Sequence, residues 1–86
     1  MITKIYEGVS VSLISSAETK KVQPDFLKWR QKTYKITTVG FHHTFYIGKV
    51  LFHIFSVSDG IYFFRLALNT LDLSWVLEEI GDDNTN

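Results

Sequence analysis

The sequence predicts an all-β fold: one small antiparallel β-barrel or strongly curved sheet of about five or six strands, of SH3-like or OB-like size. Three observations lead there. Apolar residues alternate with polar ones at period 2 over most of the chain, the pattern of strands with one wet face. Two neighbouring runs, residues 49–57 and 61–68, are apolar on both parities, so these strands should sit centrally with both faces covered. Turn-forming residues interrupt the chain at short intervals, and a sheet that curls on itself disposes of the sticky edges such strands leave.

Taken in order, residues 5–13 form the first strand: Ile5, Val9, Val11 and Leu13 share one parity, and Glu7 is the one polar breach in it. Residues 15–24 are polar, end in the only proline and read as a loop. Residues 27–39 carry Leu27 and Trp29 on one parity, then Tyr34, Ile36 and Thr38 on the other. A hairpin turning within residues 30–33 explains the switch. Its rival is a helical turn opened by Pro24, with Phe26, Trp29 and Arg30 at helical spacing. Gly40 and Gly48 bracket an aromatic and histidine-rich stretch that is either a wide loop or a strand bent at each end. The two apolar runs flank Ser58-Asp59-Gly60, and Asp-Gly favours a type I′ hairpin turn. From Leu71, alternation with Leu73, Trp75 and Leu77 predicts a last strand. Leu73, Val76, Leu77 and Ile80 make a competing helical stripe, with Asp72 as its cap. Residues 1–80 thus form a single β domain, and residues 81–86 are expected to be a disordered acidic tail.

The 86 residues are 45% apolar and 15% aromatic, with nine Lys+Arg against nine Asp+Glu, which excludes a disordered chain. A chain this size buries about 64% of its unfolded surface, enough for one core. The absence of cysteine removes disulfides, thiolate zinc sites and cysteine nucleophiles, and a reducing cytoplasmic location is expected. Glu7 and four serines interrupt the first sixteen residues, which therefore lack the hydrophobic run of a signal peptide. Residues 47–68 are long enough to span a bilayer, but Lys49, His53, Asp59, Gly60 and Arg65 are each costly there, so no membrane is expected as a partner.

The stretch from Leu27 through Trp29, Arg30, Gln31, Lys32 and Tyr34 to Ile36 resembles small uncharacterised bacterial proteins. Their shared pattern is apolar-x-Trp-Arg-Gly-basic-x-Tyr-x-Val/Ile, usually after a proline and before an aromatic-rich strand pair like residues 61–77. This sequence departs from the pattern at Gln31, where that family usually has Gly, a change that bears on the tight turn there. The resemblance implies a small β fold and carries no assigned activity.

Charge is segregated along the chain. Six cationic residues against Asp25 give +5 over residues 20–35, whereas five carboxylates give −5 over residues 69–86. Lys28, Arg30, Lys32 and Lys35, interleaved with Trp29 and Tyr34, are the candidate contact for a nucleic acid or another partner, as a cationic face with stacking platforms. The plainer alternative puts Trp29 and Tyr34 in the core and the lysines on the solvated face. The charge segregation equally suits self-association or two ends lying side by side in one monomer. Phe41, Phe45 and Tyr46 form a candidate partner patch.

His42, His43 and His53 are the remaining candidates for site chemistry. Adjacent histidines on a strand face opposite ways, so at most one of the pair joins His53, and two ligands make a poor metal site. Arg65 interrupts a buried run and should pair with Asp72 or Glu78. No nucleophile elbow or phosphate loop is present, and no catalytic residue, metal, cofactor or small-molecule substrate is expected. The leading expectation is a non-enzymatic protein-interaction module whose partner is another protein or a second copy of the chain. The alternative is a nucleic-acid-binding module using the basic hairpin 28–35.

Overall fold

A computed structural model describes residues 1–18 and 20–82. They form seven strands: β1 Ile2–Ser16, β2 Lys21–Trp29, β3 Lys32–Lys35, β4 Thr38–Ile47, β5 Val50–Ser58, β6 Tyr62–Asn69 and β7 Ser74–Asp82. Every ladder is antiparallel, and the order is β3-β2-β1-β7-β6-β5-β4 in one open sheet. No described helix is long and apolar enough to cross a membrane.

There are seven strands rather than the expected five or six: the stretch left open between a wide loop and a bent strand is β4, and the stretch read as a loop lengthens β1 and β2. Most of residues 15–24 belongs to β1 and β2, where Ser15 pairs with Val22 and Ser16 with Lys21. Polarity there reflects an exposed hairpin end rather than a loop. The aromatic stretch between Gly40 and Gly48 is a strand, with its bend at the register shift between Val39 and Phe41. The last segment is the strand β7 and not a helix, because β1 and β6 supply ladders on both its edges. Gly81 and Asp82 extend β7 beyond the expected domain end, and residues 83–86, the rest of the acidic tail, lie outside the described residues.

The turns follow local chemistry. Arg30 and Gln31 close the β2–β3 hairpin with φ of 51° and 65°, the two left-handed positions of a type I′ turn, and the helical rival is excluded. At the β5–β6 turn only Gly60 has positive φ, so the expected type I′ geometry is not adopted. Instead the Asp59 carboxylate accepts hydrogen bonds from the Ile61 and Tyr62 N–H groups at 2.9 and 2.7 Å.

The sheet curls until its inner face covers itself. Tyr34 on β3 and Phe64 on β6 are four ladders apart, about 19 Å on a flat sheet, yet their ring centroids are 5.1 Å apart. Leu27, Phe64, Leu66 and Leu77 are fully buried in the resulting core with Phe55, Val57 and Trp75. On the outer face, the cross-strand pair Ile54 and Ala67 is 1% and 7% exposed although, among the described residues, no second layer lies over it. Its cover comes from neighbours in the same sheet, His43 and Val76 in the same row. Both faces of β5 are thus buried at this point, by sheet neighbours rather than by a packed layer.

Phe64→Ala is expected to cost about 3–5 kcal/mol of unfolding free energy, measured by urea denaturation. Gln31→Gly should raise stability by about 1 kcal/mol, because glycine takes the left-handed position without the Cβ penalty. The urea midpoint should rise with an unchanged slope.

Candidate functional site

The basic hairpin does not present its six candidate residues on one face. Leu27 pairs with Tyr34 and Trp29 with Lys32, so these four side chains share the inner face, while Lys28 and Lys35 take the opposite one. Trp29 and Tyr34 pack against the core, and Tyr34 meets the Tyr62 ring edge-on at 6.2 Å. Lys32 lies over the Tyr34 ring, 5.4 Å from its centroid. Lys35 lies over Phe26 and pairs with Asp25. Arg30 stacks on Trp29 at 4.6 Å and pairs with Glu7 at 2.6 Å.

Glu7 explains its own breach of the core parity. A register shift between Lys4 and Glu7, with Tyr6 at a φ of 55°, sets Glu7 beside Leu77 on the inner side. There its carboxylate accepts from Trp29 Nε1–H at 3.0 Å and from Arg30 at 2.6 and 3.2 Å. The Arg30 hydrogen bonds, then that of Trp29, hold the Glu7 carboxyl below its ordinary value. Arg65 pairs with Glu78, Nε to Oε1 at 3.0 Å, as one of the two expected partners.

β4 carries the aromatic patch and is a sheet edge. Phe41, Phe45 and Tyr46 are 59%, 38% and 68% exposed. Alternation places Phe41 and Phe45 on the outer face with His43 and Ile47, and Tyr46 on the other side. Phe45 stacks on Phe52 of β5 at 5.4 Å, which adds Phe52 to the patch. Ile47, 60% exposed, also belongs to it. On the strand alternative for this stretch, period-2 alternation assigns Ile47 to this face.

The backbone of β4 is equally informative. Gly48-Lys49 is a two-residue turn with φ of 60° at Gly48, so Ile47 and Val50 are its closing hydrogen-bonded pair. Counting back in twos, the N–H and C=O groups of His42, Thr44 and Tyr46 point away from β5, along the free edge.

On the inner side, His42 and His53 come together while His43 faces the other way. His42 Nε2 and His53 Nδ1 are 2.7 Å apart, a hydrogen bond between imidazoles. His42 also stacks on Phe55 at 4.2 Å. Burial, then the charges of His53 and His43, hold His42 below the ordinary imidazole value. Among the described residues no third metal-ligating side chain joins this pair.

No family model, curated protein or solved structure matches this chain.

The lowered Glu7 pKa makes a signed prediction. A carboxyl depressed in the folded state contributes stability that is fully present above its unfolded value of 4.5 and is lost as pH falls through the folded value. Carbonyl-carbon NMR should place the Glu7 midpoint below 4.5, and Arg30→Ala should return it toward 4.5.

Proposed function

We propose that this chain is a non-enzymatic β interaction module that pairs with a second copy of itself through the free edge of β4. One observation carries the reading. Thr38–Ile47 is a ten-residue edge strand without a Lys, Arg, Asp or Glu, and it displays exposed aromatic residues beside its unpaired backbone. Sheet proteins normally blunt an edge by keeping it short or charged. The opposite edge follows that rule, since β3 has four residues and two of them are Lys32 and Lys35.

Two-fold pairing suits the geometry. With the axis at Thr44, the outward groups of His42 and Tyr46 meet in antiparallel register, making about six ladder hydrogen bonds. The same register sets Phe45 opposite His43 of the partner subunit and Phe41 opposite the partner's Ile47. Both outer patches then join into one apolar strip across the axis.

The test is sedimentation equilibrium of the wild-type chain and two variants. The wild type should be a dimer at micromolar concentration. Thr44→Lys, which sets two ammonium groups face to face across the axis, and Phe45→Glu, which charges the strip, should each weaken dimerisation at least about tenfold. Their unfolding free energies, compared at a dilution where all are monomeric, should stay within about 0.5 kcal/mol of the wild type. A wild-type chain that stays monomeric at 100-fold higher concentration overturns the reading, as does dimerisation unchanged in both variants.

A further inference from the structure

We propose that the cleft between β2 and β4 binds a medium-chain aliphatic carboxylate, its acid group held by His42, His53 and Lys21 and its chain against Phe55 and Leu68. The site goes beyond self-association and does not depend on it.

The cleft exists because the ladders part. β3 pairs only with Phe26–Trp29 of β2. The chain then crosses over, Ile36 N–H donating to Asp25 of β2 and Thr37 N–H to Ser58 of β5. Beyond that crossing, β4 follows β5, and the Lys21–Pro24 part of β2, paired with β1 on one side, has no ladder partner on its other side among the described residues. Two hollows of about 400 and 210 Å³ open there, and they share Val22, His42 and Phe55. The smaller is floored by Leu13, Val22, Phe55 and Leu68, with His53 at its side. The larger adds Lys21 and Gln23 of β2 and Val39, Gly40 and Phe41 of β4.

The lining selects a ligand by charge and polarity. Among the described residues no Asp or Glu lines either hollow, whereas one ammonium and two imidazoles do. A cation would meet only like charge or apolar surface, and an uncharged chain would leave the polar groups unused. The imidazole pair is itself matched to a carboxyl group. With one internal hydrogen bond between Nε2 and Nδ1, the neutral pair offers one outward donor and one outward acceptor. With an added proton both outer nitrogens donate, which is what a carboxylate accepts.

Partial desolvation and the neighbouring imidazoles disfavour that extra proton on His42, whose side chain is largely exposed, in the absence of a counter-charge. A bound carboxylate supplies the counter-charge and draws the proton onto the pair. The titratable groups facing the site are Lys21 from β2 and His53 from β5, with His43 behind it on β4. β1 and β6 contribute Leu13 and Leu68, which do not titrate. The apolar floor then holds the chain, as in other small β-sheet pockets that combine an apolar body with few polar groups.

The experiment titrates octanoate, octanol and octylammonium separately into the protein by calorimetry. Octanoate should bind at least about tenfold more tightly than octanol, the difference one charge-assisted hydrogen bond makes, and octylammonium should bind most weakly. His53→Leu should reduce octanoate to the level of octanol while leaving octanol binding unchanged, which also reports that the cleft is intact. Phe45→Glu, on the opposite face, should bind octanoate like the wild type whatever its assembly state. Equal affinity for all three probes, no binding of any, or an octanoate preference that survives His53→Leu overturns the proposal.

Discussion

A single sheet with one apolar face must cover that face with itself. Here the contact between Tyr34 and Phe64, across four ladders, meets that requirement, and the buried cluster of Leu27, Phe64, Leu66 and Leu77 lies beneath it. Flat, the same residues would stand in water, and each large apolar side chain would forgo about 1.5–3 kcal/mol of burial. The backbone provides the bend. Four of the six ladders carry a register shift, and bulges of this kind sharpen the local twist and curl of a sheet.

Closing the core without closing the sheet has consequences at its two edges. The chain passes from β3 to β4 through Ile36 and Thr37, changing ladder partner from β2 to β5 within two residues. That crossing brings Ile36 into the core at 6% exposure. It also releases the long edge of β4 and opens the cleft beside the N-terminal half of β2. The proposed interface along the β4 edge and the proposed ligand site on its inner side both follow from this one change of partner, and Phe41 borders both.

Polar groups on the inner face occupy its two extremities rather than its centre. Glu7 sits at one end, satisfied by Trp29 and Arg30, and ties β1 to the β2–β3 turn. The His42–His53 pair sits at the other, beside the cleft. Between them the lining is apolar, as burial of uncompensated polar groups demands. Within the basic hairpin, Arg30 and Lys35 are engaged by carboxylates of the chain, Glu7 and Asp25 respectively. A continuous cationic face with stacking rings does not result, which is why the β4 edge and not the basic hairpin carries the functional reading.

Local pattern determined much of this protein by itself. Period 2 announced strands, the both-parity runs announced the buried β5 and β6, and the parity switch after Trp29 placed the Arg30-Gln31 turn, because alternation and turn chemistry act over a few residues. Opposite orientation of His42 and His43 was legible for the same reason. The strand ends within residues 15–24 were not, and residues 40–48 stayed open between loop and strand, since their polarity or mixed character records exposure, which depends on neighbours far along the chain. Glu7 stood out as a breach, but its partners lie 22 and 23 residues away. Only the tertiary structure decided that β4 is an edge, that the curled sheet stays open rather than closing into a barrel, and that His42 meets His53. Strand order and curvature are set by contacts between distant residues, and a linear sequence carries no local signal of which strand is left without a neighbour.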